Sequence, residues 1–194
     1  MKEAIIVFAK NPVKGNVKTR LAADIGIDKA HDIYVKLLKH THDITKDLEC
    51  GKFLYLTERK DEQLFDGNYR QELQNGPDLG ERMKRAFDEV FKKGFRKILI
   101  IGTDCPGLNP EIINTAFEKL NENDFVLGPT DDGGYYLLGM KKTSAYLFED
   151  IVWSTEEVLS ETVKRIEKNK KSHFLLNKLK DIDDLEDLQK TGFV

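Results

Sequence analysis

Cysteine is scarce in this sequence. Cys50 and Cys105 are the only two among 194 residues, and they form neither a metal-binding spacing nor a disulfide framework. Cys105 follows an apolar run and reads as a small packed side chain, with a reactive thiol as the alternative. No apolar stretch is long enough to span a bilayer, so no membrane partner is expected. The start of the chain has neither the length nor the cleavage pattern of a secretory signal, and the expected location is the cytoplasm. Positive charge is not in excess either. The formal net charge is −3, which gives no reason to expect a nucleic-acid partner. His31, His40 and His42 fall in or beside one helical segment without a metal partner at ligand spacing, and read as core or surface histidines.

What is present is an ordinary globular balance, 40% apolar and 34% charged residues, enough for one domain over 1–194. Short runs that are apolar at every position, Ala4–Ala9 and Ile98–Ile101, suit strands buried on both faces. Further strands are expected at Lys52–Thr57, Phe125–Gly128, Tyr135–Gly139 and His173–Leu176. Apolar spacings of three and four predict helices over 28–48, after Gly76–Gly80, after Pro110, and through Val158, Leu159, Val163 and Ile166. Asn109 is the expected cap of the Pro110 helix. Ser154 and Glu157 have the spacing of a capping box, and Asp183 with Glu186 that of another helix start. Residues 59–76 carry no clear pattern. The alternation of strand and helix predicts an α/β fold, a Rossmann-like, mixed but mostly parallel central sheet flanked by helices.

Four stretches carry chemistry. Asp104 lies just past the Ile98–Ile101 strand, at the sheet edge where open α/β sheets bind ligands. Lys10–Arg20 is a glycine-containing loop between strand and helix, without the Gly-Lys-Ser/Thr ending of a Walker loop. Its Gly15 backbone and its Lys18 and Arg20 charges suit phosphate. Pro129–Gly134 places Asp132 before Gly133 and Gly134, a pattern that suits close approach of backbone to a ligand, or a tight hairpin held by side-chain bonds. Asp181 and Asp183 face one side if extended, and one of them can join Asp104 around a magnesium or manganese ion bridging phosphates.

Taken together these segments resemble the DUF2064 family of GT-A-like proteins, associated with radical-SAM selenodomain proteins, within the nucleotide-diphospho-sugar transferase superfamily. The resemblance rests on Phe8–Gly15 with Lys18–Leu21, Asp78–Met83, Gly102–Pro106, Gly128–Tyr135, Trp153–Thr155 and Asp181–Asp183. It implies a fold that binds a nucleotide or nucleotide sugar. It implies Asp104 as a metal-binding aspartate, Asp183 as its late partner with Asp181 a rival, and Lys18 and Arg20 at the phosphates. Asp132, Gly133 and Gly134 are then expected to line the sugar or acceptor side. Gly102 stands where many glycosyltransferases have the first aspartate of an Asp-X-Asp pair. The leading expectation is a metal-dependent glycosyltransferase using a nucleotide-diphospho-sugar donor and a small-molecule acceptor, with Asp132 orienting or deprotonating the acceptor. The alternatives are a nucleotidyltransferase, in which a substrate phosphate attacks the α-phosphate of a nucleoside triphosphate, and a nucleotide-binding protein without catalysis.

Overall fold

A computed structural model describes residues 2–61 and 63–193. Seven strands form one sheet: β1 Glu3–Ala9, β2 Gly51–Leu56, β3 Tyr69–Leu73, β4 Lys97–Ile101, β5 Phe125–Pro129, β6 Tyr135–Met140 and β7 His173–Leu175, in the order β3-β2-β1-β4-β6-β5-β7. The pairs β1/β2, β1/β4, β2/β3 and β5/β7 are parallel, and β6 runs antiparallel to both neighbours. The fold is therefore α/β with a mixed, largely parallel sheet. The helices are α1 Thr19–Ile25, α2 Ile27–Thr45, α3 Leu79–Lys92, α4 Pro110–Glu122, α5 Val158–Lys168 and α6 Leu185–Thr191. None among the described residues is long and apolar enough to cross a membrane.

The continuous apolar runs are explained by burial on two faces. Alternate side chains of β1 and β4 point to opposite sides of the sheet. Ile5, Val7, Leu99 and Ile101 pack with Tyr34 and Leu38 of α2 and with Ile113 and Phe117 of α4. Ala4, Ile6, Ile98 and Ile100 pack with Met83, Phe87 and Val90 of α3 and Ile166 of α5. Each such aliphatic side chain contributes about 1.5–3 kcal/mol when removed from water. Lys97 is the one charged residue of β4. Its ammonium is satisfied by Glu3 at 2.9 Å and the Phe117 carbonyl at 3.2 Å.

Helix starts follow local chemistry in three cases. Asp78 accepts from the Glu81 N–H, Asn109 from the Ile112 N–H ahead of Pro110, and Asp184 from the Asp187 N–H. The last displaces Asp183 from its expected cap position by one residue. Ser154 does not cap α5. It has φ +63°, the N-cap is Glu157 without a side-chain bond, and the Leu159 N–H donates instead to the Gly133 carbonyl at 2.9 Å. A tertiary acceptor thus replaces the local one. Strand β3 was hidden in the unpatterned stretch because it is an edge strand with one buried residue, Tyr69, among five.

Candidate active site at the β1 and β4 ends

Strand order reverses at β1, which has β2 on one side and β4 on the other. Open sheets leave a crevice beyond the C-terminal ends of such strands. Here the loop after β1, residues 10–18, faces the loop after β4, residues 102–109. The segment 180–183 crosses between them: the Ile182 N–H donates to the Asp104 carbonyl at 2.9 Å, and the Cys105 thiol to the Lys180 carbonyl at 3.4 Å. Burial, with Asp181 adding to it, pushes that thiol up to about 12. Cys105 is accordingly a packed, protonated side chain rather than a nucleophile.

The first loop is anchored from beneath. The Tyr34 hydroxyl accepts from the Lys10 N–H at 2.8 Å and donates to the Lys10 carbonyl at 3.0 Å. A ring nitrogen of His31 lies 3.0 Å from the Pro12 carbonyl. Asn11 accepts from the Glu58 N–H and donates to the Arg59 carbonyl, both at 2.9 Å. Gln74 donates to the carbonyls of Ala9 and Tyr55, both at 3.1 Å, and so ties the ends of β1 and β2 together.

Lys18 sits at the centre. Its backbone is left-handed, φ +49°, at the start of α1, a conformation that costs a non-glycine residue roughly 1 kcal/mol or more. Its side chain is only 5% exposed, and the ammonium lies 2.7 Å from Asp104 and 3.6 Å from Asp183. It also donates to the Ile182 carbonyl at 2.5 Å. Oδ1 of Asp104 is buried and accepts no hydrogen bond from the described residues, so the ammonium is its compensation. Arg20 is exposed and reaches Asp183 at 3.4 Å.

Two cavities meet over this ion cluster. The first, about 550 Å³, is basic: Lys10, Lys18, Arg20 and Arg82 lie on its wall. The second, about 580 Å³, is acidic, with Asp132, Glu156 and Asp181 added to Asp104 and Asp183. Asp104, Asp183, Arg20 and Ser154 line both. Either volume suits a small ligand. Gly102 also lines both, and a Cβ there would meet nothing within 4 Å. The space of a missing first aspartate is therefore open cavity.

Asp132 both builds its turn and faces the second cavity. Its Oδ1 accepts from the Thr130 hydroxyl at 2.5 Å and the Gly134 N–H at 3.0 Å. Gly134 lines that cavity with it, whereas Gly133 and Gly15 lie on neither wall. A Cβ on Gly133 would come within 2.1 Å of the Glu156 carbonyl, so this glycine lets the hairpin seat the 153–158 segment. Asp181 and Asp183 separate: Asp183 joins both cavities, Asp181 only the second. Burial pushes the Asp181 carboxyl up to about 6, with Asp132 next in effect and Asp183 and Asp104 adding to it.

Sequence reasoning did not find Phe8, Tyr34, Gln74 or Arg82 as site residues. Phe8 and Tyr34 look like core in a strand and a helix, and Gln74 stands in the unpatterned stretch. Arg82 had a signal, its place in the Asp78–Met83 segment. Among the described residues, no three or more His, Cys, Asp or Glu side chains are gathered so as to hold a metal ion by themselves.

Residues 41–155 match the model of the DUF2064 family, described as an uncharacterized protein conserved in bacteria. No protein of curated function matches the chain in sequence. A solved structure from Desulfovibrio desulfuricans G20, provisionally classed as a nucleotide-diphospho-sugar transferase, is 28% identical with a TM-score of 0.93, over 98% of this chain and 87% of that one. The inositol-1-phosphate CTP transferase of T. maritima is 14% identical with a TM-score of 0.62, over 100% and 94%. Rv0371C of Mycobacterium tuberculosis H37Rv, in complex with manganese, is 12% identical with a TM-score of 0.55, over 98% and 97%. The last two likenesses concern the fold alone.

Proposed function

This chain belongs to the DUF2064 family, and from that premise we propose that it transfers a nucleotidyl group from a nucleoside triphosphate to an oxygen of a small-molecule acceptor. The observation that carries this reading is the meeting of a basic and an acidic cavity at Asp104, Asp183 and Arg20, with the Lys18 ammonium against Asp104 from the basic side. The basic cavity takes the triphosphate. Lys18 and Arg20 sit beside the α- and β-phosphates and stabilise charge that develops on the departing group. The acceptor oxygen, arriving from the acidic side, forms a bond to the α-phosphorus. The bond from that phosphorus to its bridging oxygen breaks, and pyrophosphate leaves with the electron pair.

Asp104 and Asp183 are the residues for a magnesium or manganese ion. Their hard oxygen donors fit either; the buried Oδ1 of Asp104 accepts no hydrogen bond from the described residues, and the Lys18 ammonium 2.7 Å from it is the group an ion there would displace. Two carboxylates with substrate phosphates are a usual donor set for magnesium. Bound there, the ion supplies Lewis-acid stabilisation of phosphate charge. The manganese complex of Rv0371C supports testing manganese first.

A second reading, glycosyl transfer from a nucleotide-diphospho-sugar, draws support from the likeness to the Desulfovibrio protein. In it the acceptor attacks the sugar carbon and the whole nucleoside diphosphate leaves. Labelled donors separate the two. With α-³²P-labelled triphosphates and an acceptor panel, nucleotidyl transfer puts the label in the product and releases pyrophosphate. With a nucleotide-diphospho-sugar labelled at its α-phosphorus, label that stays in the released nucleoside diphosphate while sugar appears on the acceptor rejects it. Binding without turnover of either donor would leave a nucleotide-binding protein.

A further inference from the structure

We infer that the second cavity selects an uncharged acceptor, an alcohol or polyol carrying an apolar ring or chain, and disfavours phosphorylated acceptors. The group-transfer step assigned to that acceptor rests on the nucleotidyl-transfer reading; the binding preference does not.

Charge is the first argument. Asp104, Asp132, Glu156, Asp181 and Asp183 all line this cavity, and among the described residues Arg20 is the one cation on its wall. Arg20 already lies 3.4 Å from Asp183. A divalent ion held by Asp104 and Asp183 would offset the charge of those two carboxylates and of the donor phosphates. Asp132, Glu156 and Asp181 still face the acceptor, and none of the three has an ion-pair partner among the described residues. The nearby Lys178 and Lys180 turn elsewhere, both to Asp131 and Lys180 also to Asp187, and neither lines the cavity. A phosphate monoester entering here meets like charge across a partly desolvated space.

Shape is the second. Much of the remaining wall is apolar, from Phe8, Met83, Ile100, Tyr135, Trp153 and Val158, with the hydroxyls of Thr130, Ser154 and Thr155 set among them. Trp153 is fixed by packing. Its indole lies so close over Gly80 of α3 that a Cβ there would stand 2.4 Å away, and its ring stacks on Phe148 at 6.5 Å. A rigid aromatic wall opposite carboxylates suits a molecule with one apolar face and hydroxyls on the other. Asp132 has Oδ1 occupied by Thr130 and Gly134, which leaves Oδ2 for a substrate hydroxyl. In the transfer step that hydroxyl oxygen bonds to the α-phosphorus, its proton passes to Asp132, and pyrophosphate departs.

Trp153 is the sole tryptophan of the chain, so its fluorescence reports this wall directly, with or without nucleotide. The probes are phenyl β-D-glucopyranoside and phenyl phosphate, titrated with magnesium present. The expected result is a saturable change with the glucoside at a Kd at least tenfold below that of phenyl phosphate. The double variant Asp132→Asn/Asp181→Asn should narrow that ratio by strengthening phenyl phosphate alone. Equal or tighter binding of phenyl phosphate to the wild-type protein overturns the inference, as does no response to either probe. A ratio unmoved by the double variant overturns the charge argument on which it stands. Selective glucoside binding by a protein that transfers no α-³²P label would leave this inference standing and reject the transfer reading.

Discussion

The ammonium of Lys18 lies 2.7 Å from Asp104, and its reach to Asp183 at 3.6 Å places it between the two aspartates proposed to hold a divalent ion. The buried lysine is thus the counter-ion of the carboxylates while no phosphate draws it away. Nucleotide and metal should then bind with positive coupling, because phosphates that attract Lys18 release the aspartates. Replacing Lys18 with methionine should tighten manganese binding in the absence of nucleotide, measured by electron paramagnetic resonance. It should lower transfer about 10²–10³-fold, the cost of losing a charge aimed at a transition state. The metal-free variant should melt below wild type, since removing one partner leaves buried charge uncompensated, and manganese should restore part of the loss. Unchanged manganese affinity would remove the lysine from this role.

Asp181 gives the protein a pH signature. Its carboxyl is pushed up from 3.8 to about 6 by burial first, then by Asp132, Asp183 and Asp104. Between those values the folded state holds a proton that the unfolded state has lost. Stability therefore falls as pH rises through about 3.8 to 6 and stays lowered above that window. Asp181→Asn should raise Tm at pH 7.5, where the wild type carries the disfavoured charge. The gain should shrink at pH 4, where Asp181 is already neutral in the fold. A gain of equal size at both pH values would trace to packing instead.

The parts of this fold legible in the sequence were those whose residues answer to one constraint. Ile98–Ile101 is buried on both faces and reads as nothing but a central strand, and Asn109–Pro110 announces the start of α4. Asp104 and Lys18 stood out as candidates because charged residues beside glycine and proline turns have little to do in a core, and Asp183 because it stands two residues from Asp181 in an acidic run. Their pairing was not visible: Lys18 and Asp183 are 165 positions apart in number, and only the 180–183 crossing brings them together. The Ser154 capping box misled because its two residues satisfy a local rule that the Gly133 carbonyl overrides from another element. β3 was missed for the opposite reason, since an edge strand with mixed burial needs no pattern.

Gly133 and Gly15 offer a contrast between two left-handed glycines, φ +85° and +84°. An added Cβ at Gly15 meets nothing within 4 Å, while at Gly133 it meets the Glu156 carbonyl at 2.1 Å. Gly15→Ala should therefore cost only the conformational penalty, about 1–2 kcal/mol. Gly133→Ala adds a backbone clash and should cost about 2–5 kcal/mol in urea unfolding. Because the clash falls on the segment carrying Trp153, the Gly133 variant should also shift tryptophan emission before global unfolding. Equal costs at both sites would mean that the 153–158 segment yields freely.

Asp183 and Asp184 are neighbours with separable tasks. Asp184 caps α6 by accepting from the Asp187 N–H at 3.0 Å, and Asp184→Ala should lower stability by about 0.5–2 kcal/mol, the usual worth of such a cap. Asp183 joins that helix start only through its backbone N–H, which donates to the Asp187 carboxylate at 3.1 Å; its own carboxylate faces Lys18 and Arg20. Asp183→Ala should lower transfer by about 10² or more through lost transition-state electrostatics, with manganese affinity falling in parallel. Its effect on urea unfolding should be smaller than that of Asp184→Ala, since the partly exposed ion pairs it breaks are screened by solvent. Steady-state transfer and urea melts on both variants give two numbers each, and the expected pattern is a crossed one. A large activity loss in Asp184→Ala with none in Asp183→Ala would move the metal role off Asp183 and leave α6 as the element that positions Asp181.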